Sequence, residues 1–122
     1  MVVVDANVIV RLLAKDHPEH FQKALEFFRT RRDIYLMESV VAECYYVLLK
    51  IYRLPKERIV EDLVRLLDLP NIVANKALLG ETLAILRERN IDFVDAMLCA
   101  RARIFGDEIF SFDKKVVQCA KL

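Results

Sequence analysis

The sequence predicts an α/β domain built on a short parallel sheet. Three observations carry that prediction: short apolar runs that stop at turn residues, helical periodicity between them, and acids where the runs end. Val2-Val3-Val4 is the first such run and reads as a buried strand closed by Asp5. A helix follows over Val8 to Ala14, with Asp5 or Asn7 as its cap. His17-Pro18-Glu19 opens a second helix, because proline suits the first helical position and Phe21, Ala24, Leu25 and Phe28 repeat at 3-4 spacing. Arg29 to Asp33 form a charged break, Ile34 to Met37 read as a second strand, and Ser39 is expected to cap a long apolar helix reaching about Ile51. Pro55 starts an amphipathic helix with Ile59, Leu63, Leu66 and Leu67 on one side, ended by Leu69-Pro70. Ile72-Val73-Ala74 reads as a third strand and Lys76 to Arg89 as a helix that tolerates Gly80. Asn90 or Asp92 caps a helix to about Phe105, and Gly106-Asp107 turns the chain into a strand over Ile109 to Phe112. Lys114 to Leu122 reads as a short closing helix. Parallel strands joined by helices imply right-handed crossovers, and open sheets of this kind carry sites beyond the carboxyl ends of their strands. Asp5 and Asp113 fall at such ends.

At 122 residues the chain suits one domain spanning 1–122, and 56% hydrophobic residues are enough for a core. Two glycines and three prolines leave little room for linkers. No apolar run approaches the roughly 18 residues a membrane span needs, and the first residues lack a signal peptide's basic and apolar regions. Cys44, Cys99 and Cys119 are odd in number and set among apolar neighbours, which predicts reduced core thiols in a cytoplasmic protein. A net charge of +1 neither demands nor excludes a nucleic-acid partner.

Four carboxylates stand in apolar sequence: Asp5 and Asp113 at strand ends, Glu43 as the only charged residue from Val40 to Leu49, and Asp95 within Phe93 to Ala100. Burying an unpaired carboxylate costs several kcal/mol or about that, so four such groups, if gathered, would suit a divalent cation. Each has an ordinary alternative. Asp5 and Asp113 could be helix caps, and Asp92 with Asp95 could form a capping box. Glu43 is harder to explain so, because Val40, Tyr46 and Val47 surround it at helical spacing and only Ser39 is clearly polar. His17 and His20 read as surface residues, and Lys114 and Lys115 as a solvated turn.

Val-Val-Asp5-Ala-Asn7-Val-Ile, Ser39-Val-Val-Ala-Glu43, Asp92-Phe-Val-Asp95-Ala-Met-Leu-Cys-Ala and Phe110-Ser111-Phe112-Asp113-Lys-Lys, in this order over nearly the whole chain, resemble the PIN domain and especially the small VapC-type toxins. The resemblance implies a three-layer α/β/α fold with four parallel strands, or five. It implies an acidic quartet of Asp5, Glu43, Asp95 and Asp113 that binds Mg²⁺ or Mn²⁺ and is catalytic, with Asn7, Asp92 and Ser111 in support. It further implies endoribonuclease activity on RNA, a homodimer, and a small antitoxin that occludes the site. Arg11, Lys15, Lys50, Lys114 and Lys115 are the candidate RNA contacts. Phe21, Phe27, Phe28 and Tyr52 could serve an interface, although several fit the core. Two departures stand out: Ala6 occupies a position often held by Thr, and the sequence stops where relatives usually continue into a fifth strand.

Rival readings are weaker. A receiver-like domain would want adjacent acids after the first strand and an acceptor Asp after the third, where Asn75-Lys76 stand instead. A dehalogenase-type phosphatase needs Asp-x-Asp, and the chain has Asp5-Ala6-Asn7. A PIN-like module that only binds RNA or protein would gain nothing from concentrated acids.

Overall fold

A computed structural model describes residues 1–121. The chain divides into two compact units, Met1–Ala74 and Asn75–Leu122.

The first unit holds a parallel sheet of β1 (Val2–Val3), β2 (Ile34–Tyr35) and β3 (Ile72–Val73), in that order. Val2 aligns with Ile34 and Ile34 with Ile72. The strands are shorter than their apolar runs suggest, because the ladder ends where helices take over the backbone groups. Leu36 nevertheless donates its N–H to the Val73 carbonyl at 3.0 Å. Around the sheet stand α1 (Ala6–Ala14), α2 (Pro18–Thr30), α3 (Glu38–Tyr46) and α4 (Lys56–Leu67). Helix α1 packs against α2 and α3. Ile9, Ile34, Leu36, Val41, Leu48, Ile59, Val60 and Leu63 are buried at the centre of this unit.

One local alternative is decided here and two expectations change. Asp5, not Asn7, caps α1, and its Oδ1 accepts from the Val8 N–H at 3.2 Å. Ser39 caps nothing: α3 starts two residues earlier than a Ser39 cap implies, at Glu38 after Met37, without a side-chain cap, and Ser39 is exposed within its first turn. The long helix expected to reach Ile51 widens into π-helical geometry over Val47–Ile51. The Tyr52 N–H then reaches the Val47 carbonyl at 3.1 Å, the longer i→i+5 span that defines that geometry.

The second unit comprises α5 (Lys76–Glu88), α6 (Phe93–Phe105) and α7 (Lys114–Ala120), with α6 packed against both α5 and α7. Leu79, Leu83, Leu86, Ala96, Cys99, Ala100 and Cys119 are essentially inaccessible. Thr82 is buried among them, and its hydroxyl donates to the Leu78 carbonyl at 2.8 Å, so no polar group is stranded. Gly106 ends α6 in the left-handed region at φ 69°, where glycine avoids a Cβ clash. Gly80 is different: it lies mid-helix on an exposed face, with nothing within 4 Å of where a Cβ would stand. Gly80→Ala is therefore expected to stabilise the protein by about 1 kcal/mol in urea denaturation; an unchanged midpoint would count against this account of α5.

The expected fourth strand does not form. Among the described residues the sheet has three strands, not four or five, and Ile109 to Phe112 pair with none of them. The alternation is present, with Ile109 and Ser111 half-buried, but Phe110 and Phe112 are 86% and 93% exposed and meet each other edge-on with centroids 5.3 Å apart. A two-residue repeat defines a strand only where a neighbour completes its hydrogen bonds.

All three cysteines are free and buried, as their apolar neighbours suggest. Burial, with the Glu43 charge adding to it, pushes the Cys44 thiol up to about 12. Burial and the hydrogen bond with Cys119 push Cys99 likewise to about 12. No helix among the described residues is long and apolar enough to cross a membrane.

Candidate active site

The acids singled out by sequence divide between the units: Asp5 and Glu43 in the first, Asp92, Asp95 and Asp113 in the second. Their burial corrects the expectation of carboxylates sunk in hydrocarbon. Asp5, Glu43, Asp92 and Asp113 are exposed, and only Asp95 is half-buried. Glu43 shares its face of α3 with Ser39 and Tyr46, which are exposed as well, so the surrounding apolar sequence belongs to the opposite side of the helix. Asp5, Glu43 and Asp113, in the open, carry none of the burial cost that first marks them in the sequence.

Asp95 behaves otherwise. Burial, then the charge of Asp92, then that of Asp113 hold its carboxyl above the usual carboxylate range. This unit therefore brings three acids into electrostatic contact from two places, the start of α6 and the turn before α7. The capping box expected of Asp92 and Asp95 is absent, since Asp92 makes no side-chain cap bond. Its carboxylate is left for other partners. Asp113 has a fixed place: its Oδ1 accepts from the Lys115 N–H at 2.8 Å, while Ser111 Oγ accepts from the Asp113 N–H at 3.0 Å. Ser111 thus shapes the turn that aims Asp113.

In the first unit a cavity of about 460 Å³ opens beside Asp5, lined also by Asn7, Arg11, His20, Lys23 and Phe27. The sequence reading places Asn7 and Arg11 near a site but misses His20 and Lys23. Only the packing of α2 on α1 brings those two here, and three-residue spacing on α2 is the one hint the sequence holds. His17 serves structure: its Nδ1 accepts from the His20 N–H at 3.1 Å and so caps α2.

The basic candidates differ in how free they are. Arg11 Nη1 lies 3.3 Å from each Asp16 carboxylate oxygen, and Tyr52 donates its hydroxyl to the same carboxylate at 2.9 Å. That hydroxyl, with Arg11 adding its charge, holds the Asp16 carboxyl below the ordinary value. Arg11 is therefore engaged, yet its buried Nε has no hydrogen-bond partner. Lys15 lies with its amine 5.9 Å from the Phe21 ring centroid. Lys115 donates to the Asn90 carbonyl at 3.2 Å. Lys50 and Lys114 are exposed.

The donor chemistry suits a hard divalent cation, because carboxylate oxygens are what Mg²⁺ and Mn²⁺ prefer. The mutual repulsion that raises Asp95 is what such a cation would relieve. Among the described residues, however, no three His, Cys, Asp or Glu side chains are grouped as a ready ligand set.

The family described as the PIN domain matches residues 2–122. No curated protein and no solved structure matches the chain.

Proposed function

The chain belongs to the PIN domain family, and from that premise we propose that it is a metal-dependent endoribonuclease hydrolysing RNA phosphodiester bonds. PIN domains are generally nuclease modules that bind divalent metals, and a nuclease of this kind implies an RNA substrate. The observation that carries the reading is Asp95, an acid whose carboxyl is raised above its ordinary value by burial and by the charges of Asp92 and Asp113. Such a group is costly to keep unless something cationic uses it.

We assign Asp5, Glu43, Asp95 and Asp113 as the acids that hold Mg²⁺ or Mn²⁺. When bound, the ion supplies phosphate polarisation and a water acidified toward neutrality. The chain's own residues do the rest. Asp92 adds negative charge beside Asp95, and Ser111 keeps Asp113 in its turn. Asn7 lines the cavity next to Asp5, while Arg11, His20 and Lys23 give it a basic wall for RNA phosphate. Lys15, Lys50, Lys114 and Lys115 complete the candidate backbone contacts, and the whole of 1–122 acts as one catalytic domain.

Asp5→Asn is compared with wild type on structured RNA in Mg²⁺, with EDTA as control. The variant is expected to lose cleavage. Equal EDTA-sensitive cleavage by both proteins removes Asp5 from the mechanism.

The VapC-type likeness of the four motifs extends the proposal to the toxin of a cytoplasmic toxin–antitoxin pair, working as a homodimer that a small antitoxin blocks. Exposed Phe105, Phe110 and Phe112, all in the second unit, offer apolar surface for such partners. Sedimentation at micromolar concentration is expected to give a dimer; a monomer there overturns that part.

A further inference from the structure

The first unit carries a second basic cavity that the nuclease reading leaves unused. It measures about 630 Å³ and is walled by Arg29, Arg31, Arg32, Phe28, Pro70 and Asn71, among others. No acid lines it. It lies where α2 ends and β2 begins, at the amino end of a parallel strand, whereas Asp5 follows the carboxyl end of the neighbouring strand β1. The two places are opposite ends of one sheet.

The three arginines are exposed, and none forms an ion pair among the described residues. Elsewhere on this unit Arg11, Arg58 and Arg65 face carboxylates, and of the other arginines only Arg53 does not among the described residues. Asp33 follows Arg32 directly but pairs with none of the three. Like charges so near in sequence repel, and among the described residues no carboxylate is paired with any of the three to offset it.

Held together they are. Asn71 Nδ2 donates to the Phe28 carbonyl at 2.7 Å and to the Arg31 carbonyl at 2.8 Å, clamping the turn to β3. The Ile34 N–H reaches the Asn71 carbonyl at 2.9 Å, and the Arg31 N–H the Phe27 carbonyl at 3.0 Å. The Arg31 guanidinium sits 5.6 Å from the Phe27 ring centroid, which fixes its direction. Asp33 takes φ 54°, a strained value for a residue with a Cβ, so the turn is held against its own preference. A turn anchored in this way, with three exposed arginines lining one cavity and no acid among its walls, is suited to several phosphates in series, since each planar fork can take two phosphate oxygens.

We propose that Arg29, Arg31 and Arg32 form an RNA-backbone exosite at the amino end of the sheet, binding phosphodiesters away from the acids assigned to cleavage. The choice of RNA rests on the nuclease reading of the same chain; the site itself rests only on this unit. Its role is to hold the flanking strand of a long substrate, so affinity should depend on length as well as on salt.

Binding is measured in EDTA, where no cleavage occurs, by fluorescence anisotropy of a labelled single-stranded RNA oligonucleotide over a range of salt. Replacing all three arginines with Gln is expected to weaken binding about tenfold and to flatten the slope of log affinity against log salt by about 2, near 0.7 for each lost single-strand contact. The triple Arg→Lys variant should restore most of the slope, which a merely structural role would not predict. Identical affinity and slope for wild type and the Gln variant overturn the exosite. A poly-Glu peptide that binds as tightly as the RNA, with the same arginine dependence, overturns RNA as its ligand in favour of an acidic protein. Arginine-dependent binding by a protein that never cleaves would defeat the nuclease reading while leaving the exosite standing.

Discussion

Asp95→Asn is expected to slow RNA cleavage by at least about 10²-fold, since stabilising transition-state charge through a bound ion is worth several kcal/mol and each 1.36 kcal/mol is tenfold in rate. The same substitution should raise the thermal midpoint of the metal-free protein at neutral pH. The sign follows from the direction of the shift. Burial and the charges of Asp92 and Asp113 raise the Asp95 carboxyl above its ordinary value, so folding favours the protonated form. Its favourable share of stability is complete below the unfolded pKa and is lost as pH rises through the folded one. Asparagine mimics the protonated acid without titrating. The advantage of the variant should thus be present at neutral pH and fade as the solution is acidified toward the ordinary Asp value. Mg²⁺ should lift the midpoint of wild type, by about 2.7 kcal/mol of added stability at a hundred times its Kd, and do little for the variant. Calorimetric melts at several pH values, with and without Mg²⁺, check both arms. A variant that melts lower than wild type at neutral pH would show that Asp95 is there for structure.

That opposition between activity and stability explains which parts of the molecule were legible in the sequence. Helices were, because their signals are local: Pro18 and Pro55 mark two starts, Gly106 marks an end, and apolar residues at 3-4 spacing mark the buried sides. The sheet was legible as a parallel sheet but not in extent. Ile109 to Phe112 has the right alternation, and only a partner strand could make it a ladder, which no local pattern encodes. The acids were found for a reason that holds for one of them. An apolar stretch of helical sequence has two sides, and Glu43 sits on the outer one with Ser39 and Tyr46. Asp95 alone keeps the buried character that the pattern promised. Ser39, expected as a cap, failed because Met37 already occupies that place. Arg29 to Asp33 were legible as a charged break, but the cavity beside Asp5 and the one the arginines line were not, because each depends on helix packing or on a side chain distant in sequence, such as Asn71 reaching back to Phe28 and Arg31.

Ile9→Ala should produce the reverse of Asp95→Asn. Ile9 is completely buried on α1, the helix that Asp5 caps and that packs against α2 and α3. Removing most of a fully buried aliphatic chain costs about 2–5 kcal/mol, because the lost transfer energy is joined by a cavity the neighbours only partly fill. Against a total stability of about 5–15 kcal/mol this is a large fraction. The thermal midpoint should fall by about 10 °C or more, given roughly 4–8 °C per kcal/mol in a domain of 60–100 residues and less in a longer one. Cleavage measured well below that midpoint should nevertheless survive within a few-fold. Asp5 is oriented by its own bond to the Val8 N–H, one turn ahead of Ile9, and that bond does not need the isoleucine side chain. Thermal melting and RNA cleavage on the same preparation separate the two effects. If Ile9→Ala loses cleavage while still folded, the position of Asp5 depends on core packing rather than on its cap.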